Sequence, residues 1–473
     1  AHPPGTQGIS GEPITRDITG EEIYSTIYAI EESRLEKGVI WAGTNDGLVQ
    51  ITRDNGKTWT NVTPTGMPPM GRVQSIDDSP HRKGSALISY YRTLLGEFKP
   101  YIYRTDDYGA TWTLLTDGKN GIPADYPTRV AREDPGRPGL IYAGTEFGIF
   151  ISFNAGKSWQ SFQLNLPVTP VTDLKVFHDD LVLSTMGRGV FILDNVSAVH
   201  QLATLGASAP AALLEPRAAY RLRYDASSGA AEPQFIPPGA IIDYALPSDS
   251  AESVGLEVLD SSGSVLRKFE GGPTSGTETT QGMRAPSTRS AGPPSLSTKA
   301  GAHRFIWDLR HSGVAGYRGL QGPMVAPGDY KVRLSVGAFS QERALKVQSD
   351  PRLVKDGVLD AMIFEQTRLL LEIREKVTEA LSVLKSLSEA RAKAEADATP
   401  EGAARARVLE RVISKIQTAG GFYPEPMLID QFASVARMLG GADQKPGRDA
   451  YERFNDLVKE LDAVKAEAAQ ATK

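Results

Sequence analysis

The sequence predicts a mainly β chain with an α-helical C-terminus: a partial β-propeller of about three and a half blades, an immunoglobulin-like β-sandwich and a helical bundle. Three observations carry this prediction. An eight-residue segment recurs as TRDNGKTW (52–59), TDDYGATW (105–112) and SFNAGKSW (152–159), at steps of 53 and 47 residues. From about 196 to 350, short β-rich runs alternate with Gly, Pro and Ser turns. Beyond 353 the apolar spacing switches to three and four residues.

Bulk composition narrows the function classes. A chain of 473 residues is long enough to bury several cores. Its 52 Lys and Arg against 57 Asp and Glu leave a formal charge of -5, and no basic stripe interleaved with aromatics is present, so nucleic acid is not an expected partner. No run of 18 apolar residues offers a membrane span. The absence of cysteine excludes disulfides, thiolate chemistry and Cys-ligated metal, and leaves the compartment open.

Residues 1–22 read as a linker or inter-blade segment, and the start at AHPPGTQGIS reads as processed or truncated. Residues 23–195 are assigned to the partial propeller. Repeats of this period build blades or solenoids, and the flanking sequence decides between them. VIWAGTNDGLVQI, SALISYYRTLLGEFKPYIY and LIYAGTEFGIFI each form a hairpin ahead of a box. An apolar run before the hairpin and a short run after the box bring the count to four strands, which is a blade. Within the box, Asp54, Asp107 and Asn154 are expected to accept backbone N–H groups two residues on. Gly56, Gly109 and Gly156 supply positive φ, and Trp59, Trp112 and Trp159 are expected to wedge between neighbouring sheets. The stretch 171–195 has three strands and no box, as at the seam of a propeller. Closed propellers need about four to eight blades, so the remaining blades are expected from the precursor or another chain.

Residues 196–352 are expected to form the sandwich, with a mobile loop over 271–301 that lacks apolar periodicity. Residues 353–473 are expected to form the bundle. Ile363, Leu370, Ile373, Val377, Leu381, Leu384 and Leu387 mark one long amphipathic helix, and further helices are expected near 402–419, 426–440 and 447–470. Their apolar stripes serve intrachain packing or, alternatively, a partner.

The box pattern S/T-x-D-x-G-x-T/S-W resembles the Asp-box, or BNR repeat, of sialidases, sortilin-type receptors and xyloglucan-degrading endoglucanases. VAPGDYKVRL (325–334) is similar to a signature of bacterial immunoglobulin-like domains. The order of propeller, sandwich and helices resembles the bacterial sortilin-like or "glycosyl hydrolase" repeat proteins, of which the chain looks like the C-terminal part. That resemblance implies a secreted or periplasmic location. It also implies that the box aspartates are structural, lying on the outer edge of each blade away from the ligand face.

A glycosidase needs two carboxylates across the scissile bond, about 5 to 10 Å apart. The catalytic candidates are Asp46 and Glu146, and the ligand-face candidates are Asn45, Glu97 and Arg188, all in hairpin loops opposite the boxes. Asp173, Asp179 and Asp180 are weaker candidates. The Arg-Ile-Pro stretch of sialidases is absent. His303 and His311 lack a third ligand, so no metal is expected, and no phosphate- or dinucleotide-binding motif calls for a cofactor. The leading expectation is an envelope or secreted binding and assembly module without demonstrated catalysis. The alternative is a fragment of a glycoside hydrolase acting on β-glucan or xyloglucan-like polysaccharide.

Overall fold

The computed structural model describes residues 26–205, 211–224, 235–272, 295–421 and 424–472. The segment 1–22 and most of the loop expected at 271–301 therefore lie outside the described residues. The chain divides into two units, one running to Leu205 and the other beginning at Gly206.

The first unit is a partial β-propeller. Strands β1 (Ile27–Glu32), β2 (Ile40–Thr44), β3 (Val49–Thr52) and β4 (Thr60–Asn61) form one antiparallel meander. The second is β5 (Arg72–Asp78), β6 (Ala86–Tyr91), β7 (Ile102–Thr105) and β8 (Thr113–Leu114), and the third is β9 (Thr128–Glu133), β10 (Ile141–Thr145), β11 (Gly148–Ser152) and β12 (Gln160–Ser161). A last sheet holds three strands, β13 (Val171–Phe177), β14 (Asp180–Thr185) and β15 (Val190–Leu193), followed by helix α1 (Ser197–Leu202). Every residue of β6, β10 and β11 is buried, because these strands have a sheet on either side. Small residues let the sheets approach. A Cβ on Gly43 of β2 would stand 2.4 Å from Val73 of the next sheet, and one on Gly144 of β10 would stand 2.8 Å from Val171. Val196 and Val199, around α1, join the apolar cluster of the last two sheets.

The second unit combines sandwich and helices. A three-stranded sheet holds β16 (Ala212–Leu213), β18 (Ala240–Leu246) and β21 (Gly301–Trp307), in the order β16-β18-β21. A five-stranded sheet, in the order β17-β23-β22-β19-β20, holds β17 (Ala219–Arg221), β19 (Val254–Leu259), β20 (Val265–Gly271), β22 (Gly328–Val336) and β23 (Phe339–Ser349). Inward residues of both sheets, including Ile242, Leu256, Trp307 and Leu334, share one core. Leu296, at one end of the expected loop, is buried in that core, so the loop is shorter than 271–301.

Five helices follow: α2 (Pro351–Lys355), α3 (Asp360–Ala396), α4 (Pro400–Ile416), α5 (Leu428–Gly440) and α6 (Arg448–Ala471). Asp350 caps α2 by accepting from Arg352 N, and Thr399 caps α4 by accepting from Gly402 N. Leu370, Ile373, Val377 and Leu387 of α3 pack against Leu409, Phe432, Leu457 and Leu461 in one cluster. Polar ties run inside the same unit. The amide of Gln366, fully buried on α3, donates to Leu439 O at 2.7 Å and Ala442 O at 2.6 Å, receiving the end of α5.

Replacing Gln366 with Leu keeps the volume and strips both carbonyls of their donor. The expected cost is about 1–3 kcal/mol, read as a lower denaturant midpoint for the second unit, with the propeller transition unmoved.

Candidate functional site

Each box-bearing propeller sheet has two chemically distinct ends. At one end the box turn joins strands three and four of the sheet and leans on the hairpin between strands one and two. Asn55 N donates to Gly38 O, Tyr108 N to Gly84 O and Ala155 N to Gly139 O, at 3.0, 2.8 and 2.8 Å. Thr58 N donates to Asp54 Oδ1 at 2.8 Å and the Thr58 hydroxyl donates to Oδ2 at 2.7 Å. Asp107 repeats this with Thr111 at 2.8 and 2.6 Å, and Asn154 accepts from Ser158 N at 2.9 Å. The acceptor thus reaches the N–H four residues on, rather than two. The reason is that two successive left-handed residues, such as Asn55 (φ 62) and Gly56 (φ 84), fold the turn back on itself. The box hydroxyl fills the inner position, with Gly56 N donating to Thr52 Oγ1 at 2.9 Å. These donors, led by the Thr58 hydroxyl, hold Asp54 down at about 2.

The three tryptophans do not behave alike. Trp112 Nε1 donates to Val62 O of the first sheet at 2.7 Å, and Trp159 Nε1 donates to Leu115 O of the second at 3.1 Å. Trp59 is exposed instead of wedged, because among the described residues no sheet lies on that side of the first one.

The opposite end carries the hairpins between strands two and three, where the ligand-face candidates lie. Asp46 is buried and accepts the Thr44 hydroxyl. Asn45 Oδ1 accepts Thr26 N at 3.1 Å. Glu97 pairs with Arg92 at 2.6 Å and accepts the Tyr101 hydroxyl, which holds its carboxyl below the usual range. Glu146 pairs with Arg129 at 2.7 Å and accepts the Tyr91 hydroxyl from the second sheet, while Arg129 stacks 5.0 Å over the Tyr91 ring. Burial, reinforced by Glu146, raises Tyr91. Tyr126 and Phe147 lie with ring centroids 4.6 Å apart. Arg188, Met186, Phe147, Phe98, Leu94 and Leu95 are exposed. Asp173, opposite Ser184 on β13, pairs with Arg132 of the third sheet at 2.9 Å.

One cluster escaped the sequence reading. Asp77, buried at the end of β5, accepts Glu133 N at 2.8 Å and pairs with Arg34 of the first sheet and Arg132 of the third, each at 3.3 Å. Burial pushes its carboxyl up to about 6 against the pull of Arg132 and Arg34. Next to it, Asp78 accepts Ser33 Oγ at 2.9 Å and Trp41 Nε1 at 3.2 Å. The pairs Asp77–Asp78 and Glu133–Asp134, each closing an apolar run, are the sequence signal for this inter-sheet stitch. Among the described residues no group of three or more His, Asp or Glu could hold a metal ion, and no helix is long and apolar enough to cross a membrane.

No family model matches the chain. Over 111 residues it is 29% identical to the oligoxyloglucan-reducing end-specific xyloglucanase of Emericella nidulans, an alignment that takes in 23% of this chain and 13% of that protein. Among solved structures, YCF48 bound to D1 peptide is similar over 36% of this chain and 52% of that one, at 20% identity and a TM-score of 0.29. The GH74 enzyme of Niastella koreensis is similar over 66% of this chain and 48% of that one, at 12% identity and a TM-score of 0.28. The chain thus spans about an eighth of the length of the xyloglucanase and about half of each of these two structures.

Two outcomes are expected at the box end. Asp54 has its folded value depressed from 3.8 to about 2, so its contribution to stability is complete above 3.8 and is lost as pH falls through the folded value. Its carboxyl carbon should titrate near 2 by NMR, and Asp54→Asn should flatten the acid limb of the unfolding profile. Trp159→Ala should cost about 3–5 kcal/mol in chemical denaturation by emptying a packed site, with Trp59→Ala costing far less.

Proposed function

We propose that the first unit is a binding and assembly module built on an Asp-box propeller. Its hairpin end is the ligand face, and the remaining blades come from the precursor or from another chain. The observation that carries this reading is the state of the candidate acids. Asp46 is buried under Thr44, Glu97 is tied to Arg92 and Tyr101, and Glu146 is tied to Arg129 and Tyr91 across two sheets. These carboxylates brace a surface whose exposed groups are Phe98, Phe147, Met186 and Arg188, a mixture suited to contact with a protein or a polysaccharide. A secreted or periplasmic location goes with this reading through the resemblance of the boxes and domain order to the sortilin-like proteins.

A second reading, a portion of a glycoside hydrolase acting on β-glucan or xyloglucan-like polysaccharide, is favoured by the 111-residue similarity to a xyloglucanase. In that reading Asp46 and Glu146 act as the acid and base pair, and the Tyr126 and Phe147 rings line a sugar subsite.

Reducing-sugar release from xyloglucan and mixed-linkage β-glucan, measured beside calorimetric titration with their oligosaccharides, separates the two. We expect no turnover, and any oligosaccharide affinity to fall about tenfold in Phe147→Ala through loss of a ring contact. Turnover that disappears in Glu146→Gln or Asp46→Asn, with the unfolding midpoint unchanged, would establish the hydrolase reading instead.

A further inference from the structure

The three box-bearing sheets permit a position-by-position comparison of how each seats on the sheet before it. In the second sheet, Val73 pairs with Tyr90, Ile76 pairs with Ile88, and both are buried at 0% and 3% exposure. The third sheet places Thr128 and Ala131 at the same register positions, opposite Thr145 and Ala143, at 0% and 1%. The first sheet has Ile27 opposite Thr44 and Ile30 opposite Ala42, and these stand 57% and 65% exposed. The box repeats the contrast. A Cβ on Gly109 would meet Val62 at 2.7 Å and one on Gly156 would meet Leu115 at 2.6 Å, while one on Gly56 meets nothing within 4 Å among the described residues. Trp112 and Trp159 spend their indole N–H on a carbonyl of the preceding sheet, whereas Trp59 is 43% exposed and donates to none of the described residues.

We infer that the open flank of the first sheet, formed by Ile27, Ile30, Gly56 and Trp59, is a docking face for one kind of occupant, another Asp-box sheet outside the described residues. This rests on the partial-propeller reading above and adds its recognition rule. The two filled interfaces state what the occupant must offer. It carries an aliphatic residue three positions after its own box tryptophan, as Val62 follows Trp59 and Leu115 follows Trp112, with that residue's carbonyl free to accept from Trp59 Nε1. It also carries a small residue on its second strand, where Gly43 receives Val73 and Ile76. A second copy of this chain does not supply such a surface. The carbonyls of Val62 and Leu115 are already taken by Trp112 and Trp159, and Phe162, the corresponding residue of the third box, packs into the apolar cluster shared with the last sheet. The flank is apolar at Ile27 and Ile30 and carries exposed Glu32 at the register position where Asp78 and Glu133 accept a serine hydroxyl of the preceding sheet, so an unrelated sheet gains less from it than one built on the same repeat.

The test supplies the occupant from the chain itself. Thr26 O accepts Asn45 N as Pro127 O accepts Glu146 N, so Thr26 stands where Pro127 stands in the third sheet. A second copy of residues 72–126 inserted directly before Thr26 should therefore recreate the interface between the second and third sheets on the open flank. In this enlarged chain, the emission of Trp59, isolated by difference from Trp59→Phe, should shift to the blue and its acrylamide quenching should fall severalfold. Trp59→Phe should now lower the unfolding midpoint as Trp159→Phe does. An enlarged chain that folds and leaves Trp59 as quenchable as before overturns the recognition rule while leaving the partial propeller intact. A measurement on the chain without the insertion guards against misfolding. Because the chain has no cysteine, Ile30→Cys and Ala131→Cys each introduce a single thiol at the same register position. Ile30→Cys should react with a disulfide reagent about tenfold faster or more, since Ala131→Cys is reached only through local opening. Equal protection overturns the open flank, and protection that grows with protein concentration overturns the assigned occupant, because a second copy of this chain then covers the face.

Discussion

Each sheet of the first unit is too thin to bury its own faces, so the unit depends on stacking one meander against the next. The outermost strand of each box-bearing sheet is only two residues long, and a narrow sheet of this kind is marginal without a partner layer. The sheets approach closely where Gly43, Ser89 and Gly144 occupy one register position and keep side-chain bulk out of the contact. Trp112 and Trp159 fasten the sheets beside the box turns. Asp77 does the corresponding work near the inner strands, where one carboxylate engages guanidinium groups from the sheets on both sides of its own. A charge in that position is tolerable only while all three sheets are in place, which makes their assembly cooperative.

Local repetition made the propeller legible in the sequence, because each box is a self-contained turn whose donors and acceptors lie within seven residues. The sandwich was less legible. Strand β23, the longest among the described residues, carries Gln341, Glu342, Arg343 and Lys346 on a largely solvated course, with Leu345 and Val347 in the core and Phe339 packed at its margin. Such a strand lacks the alternation that would mark it, although it holds both β17 and β22. The bundle read clearly, since α3 through α6 keep their apolar residues on one face and break at Gly and Pro.

The hairpin end was legible in position and illegible in state. A carboxylate in a loop looks the same in sequence whether it faces solvent or is clamped. What clamps Glu146 is Arg129, 17 positions earlier, and Tyr91, 55 positions earlier. The same distance in sequence hid Asp77 behind its partners in two other sheets. Trp59 is the converse case. Its local motif matches that of Trp112 and Trp159, and only the presence or absence of a neighbouring sheet separates their environments.

In the second unit, Arg221 at the end of β17 is fully buried and pairs with Asp443, which lies between α5 and α6 and also pairs with Arg223 at 2.6 Å. Arg221 Nε further donates to Val325 O at 2.9 Å. Sandwich and helices therefore share one electrostatic account that neither can settle alone. A truncation that removed the helices would strand a guanidinium without its counter-ion inside the protein, a loss that surface charges do not incur. Loss of the helices should consequently leave no long-lived bundle-free sandwich, so the two parts of this unit stand or fall together.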